Sequence, residues 1–240
     1  TTYILNLNYM TLPKPRKFQV ERYVGGLSQF KKIDNPIKLS ANESALGPSP
    51  KAIRAFEKDK SKIFKYPESD SNSLRDLISE KFNIKSKRII CGAGSDQIFD
   101  LTCQLFLEPG NEVIVTEFGF IMHRIYASLH GAKVLLVEEK NFKASVNEIL
   151  KKVTDKTKIV FIANPNNPTG TYLSKNEMLD LRKKLRSNIL LVVDDAYFEF
   201  MNKNDFASGL DLFKDAANVL ITRTFSKIYG LAGLRLGWGY

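Results

Sequence analysis

The sequence predicts an α/β fold, with a mostly parallel central sheet and helices on both faces. Six short runs rich in β-branched residues alternate, over most of the 240-residue chain, with segments whose apolar residues recur at helical spacing. Strands separated by helices pair in parallel, because the helix returns the chain to the edge from which it started. A hydrophobic content of 43% is enough for a sizeable core.

The expected elements have recognisable ends. Ser49-Pro50 is typical of a helix start, with proline in the first turn. The expected helices span residues 51–60, 73–82, 95–106, 123–129, 145–152 and 175–186, and the expected strands span 88–91, 112–116, 133–137, 158–162, 189–194 and 218–222.

We expect two regions along the chain. Residues 1–40 are polar, basic and punctuated by Pro and Gly, which indicates an N-terminal arm. Residues 41–240 are expected to form one large domain that is incomplete at its C-terminus, because the sequence stops within an apolar, strand-like run. The first residue is not Met, and Met10 is a candidate natural start. We therefore expect a fragment that lacks a C-terminal domain.

Composition argues against several classes of protein. The net charge is +10, but the lysines are scattered and do not form a dense block with aromatic residues, so a nucleic-acid-binding module is only the remote alternative. No apolar run approaches the ~20 residues of a membrane span, and the first residues do not read as a signal peptide. Two cysteines and two histidines do not suggest a disulfide framework or a metal site, and we expect a cytoplasmic protein.

Polar residues follow the expected strands at the edge where a parallel sheet binds its ligands. The segment GAGSDQ, residues 92–97, opens a helix and can bind a phosphate through free N–H groups, or Ser95 can simply cap that helix. Phe120 can stack on a flat ring or belong to the core. The stiff string NPNNPTG, residues 164–170, can aim one Asn amide at a ligand oxygen.

The last two strand ends carry a carboxylate and an amine. Asp194, in DDAY, can hold a pyridinium nitrogen protonated, or it can belong to a solvated turn. Lys227, in RTFSK, follows Thr224 and Ser226 and precedes Arg235, groups that can hold a phosphate close to it. Such a lysine can form a Schiff base with a phosphorylated aldehyde, or it can be a solvated lysine on a loop of small residues.

Taken in this order, these motifs resemble the fold-type I pyridoxal-phosphate-dependent aminotransferases of class II, over residues 38–240. Within that family, ANESALGPSP, Tyr66-Pro67-Glu68, GSDQ and RTFSK with LAGLRLG are most similar to the branch that acts on histidinol phosphate. The resemblance implies transfer of an amino group between histidinol phosphate and 2-oxoglutarate in histidine biosynthesis. Aromatic amino-acid transamination and threonine-phosphate decarboxylation are the alternatives on the same fold.

The resemblance also implies roles for individual residues. Lys227 is the Schiff-base lysine, Asp194 the partner of the pyridinium nitrogen, and Phe120 the stacking residue. The residues that bond the phenolic oxygen are Asn167 and Tyr197, those of the phosphate cup are Ser95, Asp96, Thr224, Ser226 and Arg235, and those on the substrate side are Tyr23 and Asn42. Tyr66 corresponds to a tyrosine that reaches the phosphate of the neighbouring subunit, which implies a homodimer with a shared active site.

Three positions depart from the family pattern, and one domain is lacking. Asp195 stands where Glu is frequent, Phe118 where Pro is frequent, and His123 where Tyr is frequent. The last two bear on substrate contacts. The family's small C-terminal domain supplies the arginine that binds the substrate carboxylate, so we expect the 240-residue chain by itself to be inactive or nearly so.

Overall fold

A computed structural model describes residues 20, 23, 25, 26 and 37–240, so most of the expected N-terminal arm, Met10 included, lies outside the described residues. The helices are α1 (Pro50–Asp59), α2 (Asn72–Phe82), α3 (Gly94–Phe106), α4 (Ile121–Leu129), α5 (Val146–Lys151), α6 (Lys175–Lys184) and α7 (Gly209–Phe213). The strands are β1 (Ile90–Gly92), β2 (Glu112–Thr116), β3 (Lys133–Val137), β4 (Thr157–Ala163), β5 (Leu190–Asp194), β6 (Val219–Thr224) and β7 (Gly237–Gly239).

The strands form one mixed sheet, in the order β1-β7-β6-β5-β4-β2-β3. β7 is antiparallel to both of its neighbours, β1 and β6. The pairs β6-β5, β5-β4, β4-β2 and β2-β3 are parallel. The expected mostly parallel sheet is thus confirmed, and the carboxyl ends of its parallel strands open on the same edge.

Helices cover both faces of this sheet, because neighbouring strand residues point to opposite sides. On one face, Ile114, Val160 and Leu191 pack in a core with Met178 of α6 and Phe213 of α7. The opposite face carries the alternate residues of the same strands, which pack against side chains of α3 and α4: Val113, Val115, Ile159, Phe161 and Val192, with Phe99, Cys103 and Ala127. Buried on both faces, β2, β4 and β5 therefore read as continuous apolar runs.

The structure refines several of the expected boundaries. Ser49 caps α1 as expected, since its hydroxyl accepts the Ala52 N–H at 3.2 Å, with Pro50 as the first helical residue. Ser95 does not cap α3, because the helix already begins at Gly94. The expected strand over 88–91 is shifted, because Ser86–Arg88 forms a 3₁₀ turn and β1 begins at Ile90. Within the described residues, no helix is long and apolar enough to span a membrane.

The short antiparallel strand β7 brings the end of the chain against the start of α3. A Cβ on Gly237 would lie 2.5 Å from the Gly94 carbonyl carbon and 2.5 Å from the Ser95 nitrogen, both backbone atoms. Backbone cannot move aside as a flexible side chain can. Gly237 therefore permits the close approach that fixes the first turn of α3 beside β6 and β7.

Gly237→Ala should lower the free energy of unfolding by about 1–3 kcal/mol, because the added methyl overpacks this contact. Urea unfolding followed by circular dichroism measures the effect. Gly233→Ala is the matched control, since a Cβ at Gly233 would have no atom of the described residues within 4 Å. Equal stabilities of the two variants would contradict the packing argument.

Candidate active site

A cavity of about 300 Å³ opens at the carboxyl edge of the sheet, where β2, β4, β5 and β6 end. Its size is at the lower end of the range for small-molecule sites in proteins. The cavity gathers side chains that are far apart in sequence: Tyr23, Ser95, Asp96, Phe120, Asn167, Asp194, Tyr197, Thr224, Ser226, Lys227 and Arg235. Each of them is a site residue expected from the sequence, whereas the expected residues Asn42 and Tyr66 do not line this cavity.

Lys227 reaches the cavity through the bend that follows β6. The hydroxyl oxygen of Thr224 accepts the Ser226 N–H at 3.1 Å and so stabilises the bend. The Lys227 ammonium donates a hydrogen bond to the Ala41 carbonyl oxygen at 3.1 Å and lies 5.4 Å from the centre of the Tyr197 ring. The amine is therefore held at the cavity by a carbonyl and an aromatic face, and no carboxylate of the described residues is bonded to it.

Asp194 ends β5 and is only 5% exposed. Its Oδ1 accepts the Ala196 N–H at 3.2 Å and the Thr222 hydroxyl at 3.3 Å. These donors lie on one side of the carboxylate, and its Oδ2 lies 3.5 Å from Nε2 of His123. These contacts fix the orientation of the carboxylate at the end of β5.

His123, which was expected to bear on substrate contacts, lies behind Asp194 instead. It is buried, stacks on Phe161 at 4.7 Å and meets Phe99 edge-on at 4.6 Å. Its Nε2 has no hydrogen-bond partner among the described residues, although it lies at ion-pair distance from Asp194. Sequence reasoning missed this placement, and the one available signal was the position of His123 about one helical turn after Phe120.

An anion cup forms where α3 begins beside the Lys227 bend. Gly94 has φ +79, and a Cβ there would lie 2.5 Å from Nη2 of Arg235. Arg235 donates from Nη1 to the Ser226 hydroxyl at 3.1 Å. The N–H groups of a first helical turn lack helical partners, so the start of α3, the Ser226 hydroxyl and the guanidinium together favour a bound anion.

The Asp96 carboxylate belongs to this cup but does not itself suit an anion. Its Oδ2 lies 3.5 Å from Nη2 of Arg235, and its Oδ1 is buried with no hydrogen-bond partner among the described residues. Burial, and then the charge of Asp194, raise the pKa of the Asp96 carboxyl, while Arg235, His123 and Lys227 lower it. The side chain therefore lies against Arg235, while the Asp96 N–H belongs to the first turn of α3.

The loop after β4 presents Asn167 to the cavity and uses its other asparagines to hold its own shape. Asn164 is buried and bonds both backbone groups of Leu173, at 2.8 and 3.0 Å. Asn166 donates to the Phe118 carbonyl oxygen at 3.1 Å, which ties this loop to the one after β2. Phe118 thus contributes a backbone contact, and only Asn167 of the three asparagines lines the cavity.

Of the two expected residues that do not line the cavity, one contacts a cavity residue and the other does not. Asn42, in a left-handed conformation with φ 51, donates to the Tyr197 hydroxyl at 3.1 Å. Tyr66 is fully exposed and away from the cavity. Sequence reasoning missed four cavity-lining positions, which are Ala41, Glu43, Ala196 and Ala232. The three alanines carry no chemical signal of their own, whereas Glu43 is a charged residue of the ANESALGPSP string to which the sequence analysis assigned no role.

The anion cup predicts that the chain binds inorganic phosphate and that Arg235→Gln weakens this binding about tenfold, since hydrogen bonds to a charged group contribute about 1.5–3 kcal/mol. Isothermal titration calorimetry measures both dissociation constants. Arg186→Gln is the control, because Arg186 pairs with Asp155 at the surface. Unchanged phosphate affinity in Arg235→Gln would show that the cup is placed wrongly.

Two aminotransferases of known sequence are similar to almost the whole of this chain. The chain is 61% identical, over 96% of its length, to the histidinol-phosphate aminotransferase of Pelagibacter ubique, and 46% identical, over 96%, to that of Paramagnetospirillum magneticum. It spans about 64% of the length of each of these two relatives.

Solved structures give the same grouping. The crystal structure of histidinol-phosphate aminotransferase from Sinorhizobium meliloti in complex with pyridoxal-5'-phosphate matches with a TM-score of 0.79 and 28% identity. The match covers 83% of this chain and 54% of that one. The family of class I and II aminotransferases matches residues 34–240, which contain all of the described strands and each cavity-lining residue except Tyr23. The chain belongs to the aminotransferase class I and II family.

Proposed function

We propose that this chain is the cofactor-binding part of a pyridoxal-phosphate-dependent aminotransferase that transfers an amino group between histidinol phosphate and 2-oxoglutarate. The observation that carries the proposal is that one cavity contains Lys227, Asp194 and the anion cup around Arg235. An amine, a carboxylate and an anion site are the three groups that a phosphorylated pyridine aldehyde requires. The other cavity-lining residues are compatible with a flat ring placed between these three groups.

The described residues fit this cofactor. The cup at the start of α3 suits its phosphate, with the hydroxyls of Thr224 and Ser226 beside Arg235. Asp194 suits the ring nitrogen, since it lines the cavity and its Oδ1 accepts two hydrogen bonds from the protein, while its Oδ2 lies 3.5 Å from the His123 ring nitrogen. When bound, pyridoxal phosphate acts as an electron sink for the amino-acid substrate.

Lys227 has two tasks in this proposal. Its amine would hold the cofactor at the aldehyde carbon, and the same amine would carry a proton to and from the substrate carbon. Both tasks require an amine that can lose its proton. The Ala41 carbonyl oxygen orients this amine at the cavity.

Asp194 keeps a proton on the ring nitrogen, and its neighbours keep Asp194 in place. The Thr222 hydroxyl and the Ala196 N–H fix the carboxylate from the protein side. His123 adds a buried ring at 3.5 Å that prevents the carboxylate from turning away. Phe120 lies at the cavity wall with its ring 5.5 Å from that of His123, where it can cover one face of the cofactor.

Two further residues are proposed to donate to the cofactor's phenolic oxygen. Asn167 and Tyr197 both line the cavity. Asn42 donates to the Tyr197 hydroxyl oxygen, so that hydroxyl keeps its own proton for the cofactor. Tyr23, which also lines the cavity, is proposed to contact the substrate, as is Asn42.

The substrate assignment is supported by the names of the relatives, both of which are histidinol-phosphate aminotransferases. The chain spans about 64% of their length, so the residues that bind the substrate carboxylate are not expected within it. We propose a small-molecule amino-acid phosphate and a 2-oxo acid as partners, and the cytoplasm as the location. Aromatic amino-acid transamination and threonine-phosphate decarboxylation stay as outcomes of the test.

A homodimer with a shared active site is also part of the proposal. The surface around α1 is rich in exposed apolar side chains, since no residue of α1 is buried and Leu46, Ile63 and Phe64 are 96%, 86% and 79% exposed. Exposed apolar patches of this kind mark interaction surfaces. Tyr66 is fully exposed two residues after Phe64, and the family resemblance implies that it reaches a second subunit.

The Lys227→Ala variant should lose the visible absorption band that the parent chain acquires with pyridoxal phosphate, since no amine remains to bond the aldehyde carbon. Lys143→Ala is the control and should keep the band, because it removes an amine that pairs with Glu177.

Turnover is measured for the chain alone and for the chain fused to the unmatched part of the Pelagibacter ubique relative. We expect activity from the fusion, at least tenfold higher kcat/KM for histidinol phosphate than for phenylalanine, and little from the chain alone.

Three results would count against the proposal. A band that persists in Lys227→Ala removes the assignment of the amine. Preference of the fusion for phenylalanine, or release of CO₂ from threonine phosphate, moves the substrate to one of the alternatives. Robust turnover by the 240-residue chain alone would contradict the expected need for a further domain.

Ile63→Asp should convert a dimer to a monomer, because it places a charge in the apolar surface around α1. Light scattering after gel filtration, at protein concentrations of tens of micromolar, measures the mass. Leu105→Asp on α3 is the control, since Leu105 is 75% exposed but lies on another surface. A monomeric parent chain, or a dimer that survives Ile63→Asp, would refute this part of the proposal.

A further inference from the structure

A buried ion pair lies on the face of the sheet that is opposite the cavity. Since side chains alternate along a strand, Asp195 points away from the side that Asp194 faces, and Arg223 points away from the side of Thr222 and Thr224. Nη2 of Arg223 lies 3.6 Å from Oδ2 of Asp195, and their side chains are 4% and 1% exposed. The pair joins the ends of β5 and β6 directly behind the proposed cofactor residues.

Asp195 is the ion-pair partner that compensates the buried charge of Arg223. Its guanidinium carbon lies 3.4 Å from the ring centre of Phe198 and 4.8 Å from that of Phe82. Aromatic faces attract a cation, but Nε and Nη1 have no hydrogen-bond partner among the described residues. Burial lowers the pKa of Arg223, and Asp195 is the first of the groups that raise it. A buried charge that loses such a partner strongly destabilises the structure around it.

The same cluster contacts the chain beyond Lys227. Burial raises the pKa of the Glu199 carboxyl, while the charge of Arg223 and a hydrogen bond with the Tyr229 hydroxyl lower it. Tyr229 follows Lys227 by two residues and packs on Phe225 at 5.3 Å. Arg223 precedes Lys227 by four residues, so the bend that carries the amine is held from both sides.

The cluster also affects the pKa of Asp195, the residue that follows Asp194. Burial raises the pKa of the Asp195 carboxyl, and so does the charge of Asp194, while Arg223 and the Gly209 N–H, at 2.7 Å, lower it. Arg223 and the Gly209 N–H thus offset part of the cost of burying a charge at Asp195. The titratable and charged groups that face this cluster are Lys81, Asp194, Asp195, Glu199, Asp211, Arg223 and Tyr229.

We propose that Arg223 is a positioning residue for the reaction: from the far face of the sheet it binds Asp195 and adjoins the Glu199–Tyr229 pair, and so it fixes Asp194 and Lys227 relative to each other. The inference rests on the proposed function, since it concerns residues assigned to the cofactor. Arg223 touches neither cofactor nor substrate. Its effect passes through the strand ends and through the charge of Asp195.

The test uses Asp195→Asn, Arg223→Met and the double variant, each loaded with pyridoxal phosphate. In Asp195→Asn the charge of Arg223 loses its ion-pair partner and is only partly compensated by Glu199, which disfavours a proton at the Lys227 nitrogen. The pH midpoint of the visible band should therefore fall by about 0.5 units or more, because positive charge is left uncompensated on the far face of the sheet. In the double variant both charges are gone, and the midpoint should return to within about 0.2 units of the parent.

The effect of Arg223 on the relative position of Asp194 and Lys227 is measured by cofactor affinity and by the kinetics of the fusion enzyme. Arg223→Met should weaken cofactor binding about tenfold or more and lower kcat about tenfold with KM within about threefold, because a geometry used in the transition state is lost. The double variant should show the same reduced cofactor affinity and kcat. Arg223→Lys, which retains the charge, should have values between those of Arg223→Met and the parent. Arg186→Met, at the surface pair with Asp155, is the control and should match the parent.

The outcomes separate the two proposals. Suppose that the parent binds the cofactor, that the variants keep its pH midpoint, and that their cofactor affinity and kcat lie within twofold of the parent. The inference is then wrong, even if the melting temperatures of the variants fall, and the proposed function stands. If the parent shows no visible band, both fail. Should Arg223→Met not fold, Asp195→Asn decides: an unmoved midpoint overturns the inference.

Discussion

The site depends on the register between β5 and β6. Asp194 pairs with Thr222 across these two parallel strands, and the Thr222 hydroxyl bonds the Asp194 carboxylate at 3.3 Å. This register brings the end of one strand, with its buried carboxylate, beside the end of the other, whose next bend carries Lys227. A shift by one residue would turn Asp194 to the far face and Asp195 to the cavity.

The rest of the fold keeps that register in place and closes the site around it. Apolar side chains on both faces of β4 and β5 bury these strands, which makes any slip costly. β7 extends the sheet next to β6 and holds the first turn of α3 at the anion cup. The cavity is thus a consequence of where parallel strands stop, with loops whose polar groups face the same edge.

The sequence was sufficient to predict the fold class and those cavity residues that belong to short, characteristic motifs. Periodicity located the parallel strands, because buried strands and amphipathic helices leave strong patterns. The NPNNPTG, DDAY and RTFSK strings each put the named residue beside the cavity: Asn167, Asp194 and Lys227. Their cofactor roles stay predictions until a ligand is bound.

What sequence reasoning could not supply are contacts between distant segments. The three residues of β7 are too few to show a period, so its antiparallel place between β1 and β6 was not foreseen. The Ala41 carbonyl that binds Lys227 is a backbone group and has no residue signature. His123 and Arg223 were not expected behind the site, since their partners lie 71 and 28 residues away, at Asp194 and Asp195.

The central claim is that Lys227 and Asp194 flank one pyridine ring, and a crystal structure of the chain with pyridoxal phosphate tests it most directly. We predict electron density that is continuous from the Lys227 amine to the cofactor, with an Asp194 oxygen about 2.7–2.9 Å from the ring nitrogen. The cofactor phosphate should lie at the start of α3 beside Arg235. A ring bound elsewhere, or one whose nitrogen points away from Asp194, would contradict the account.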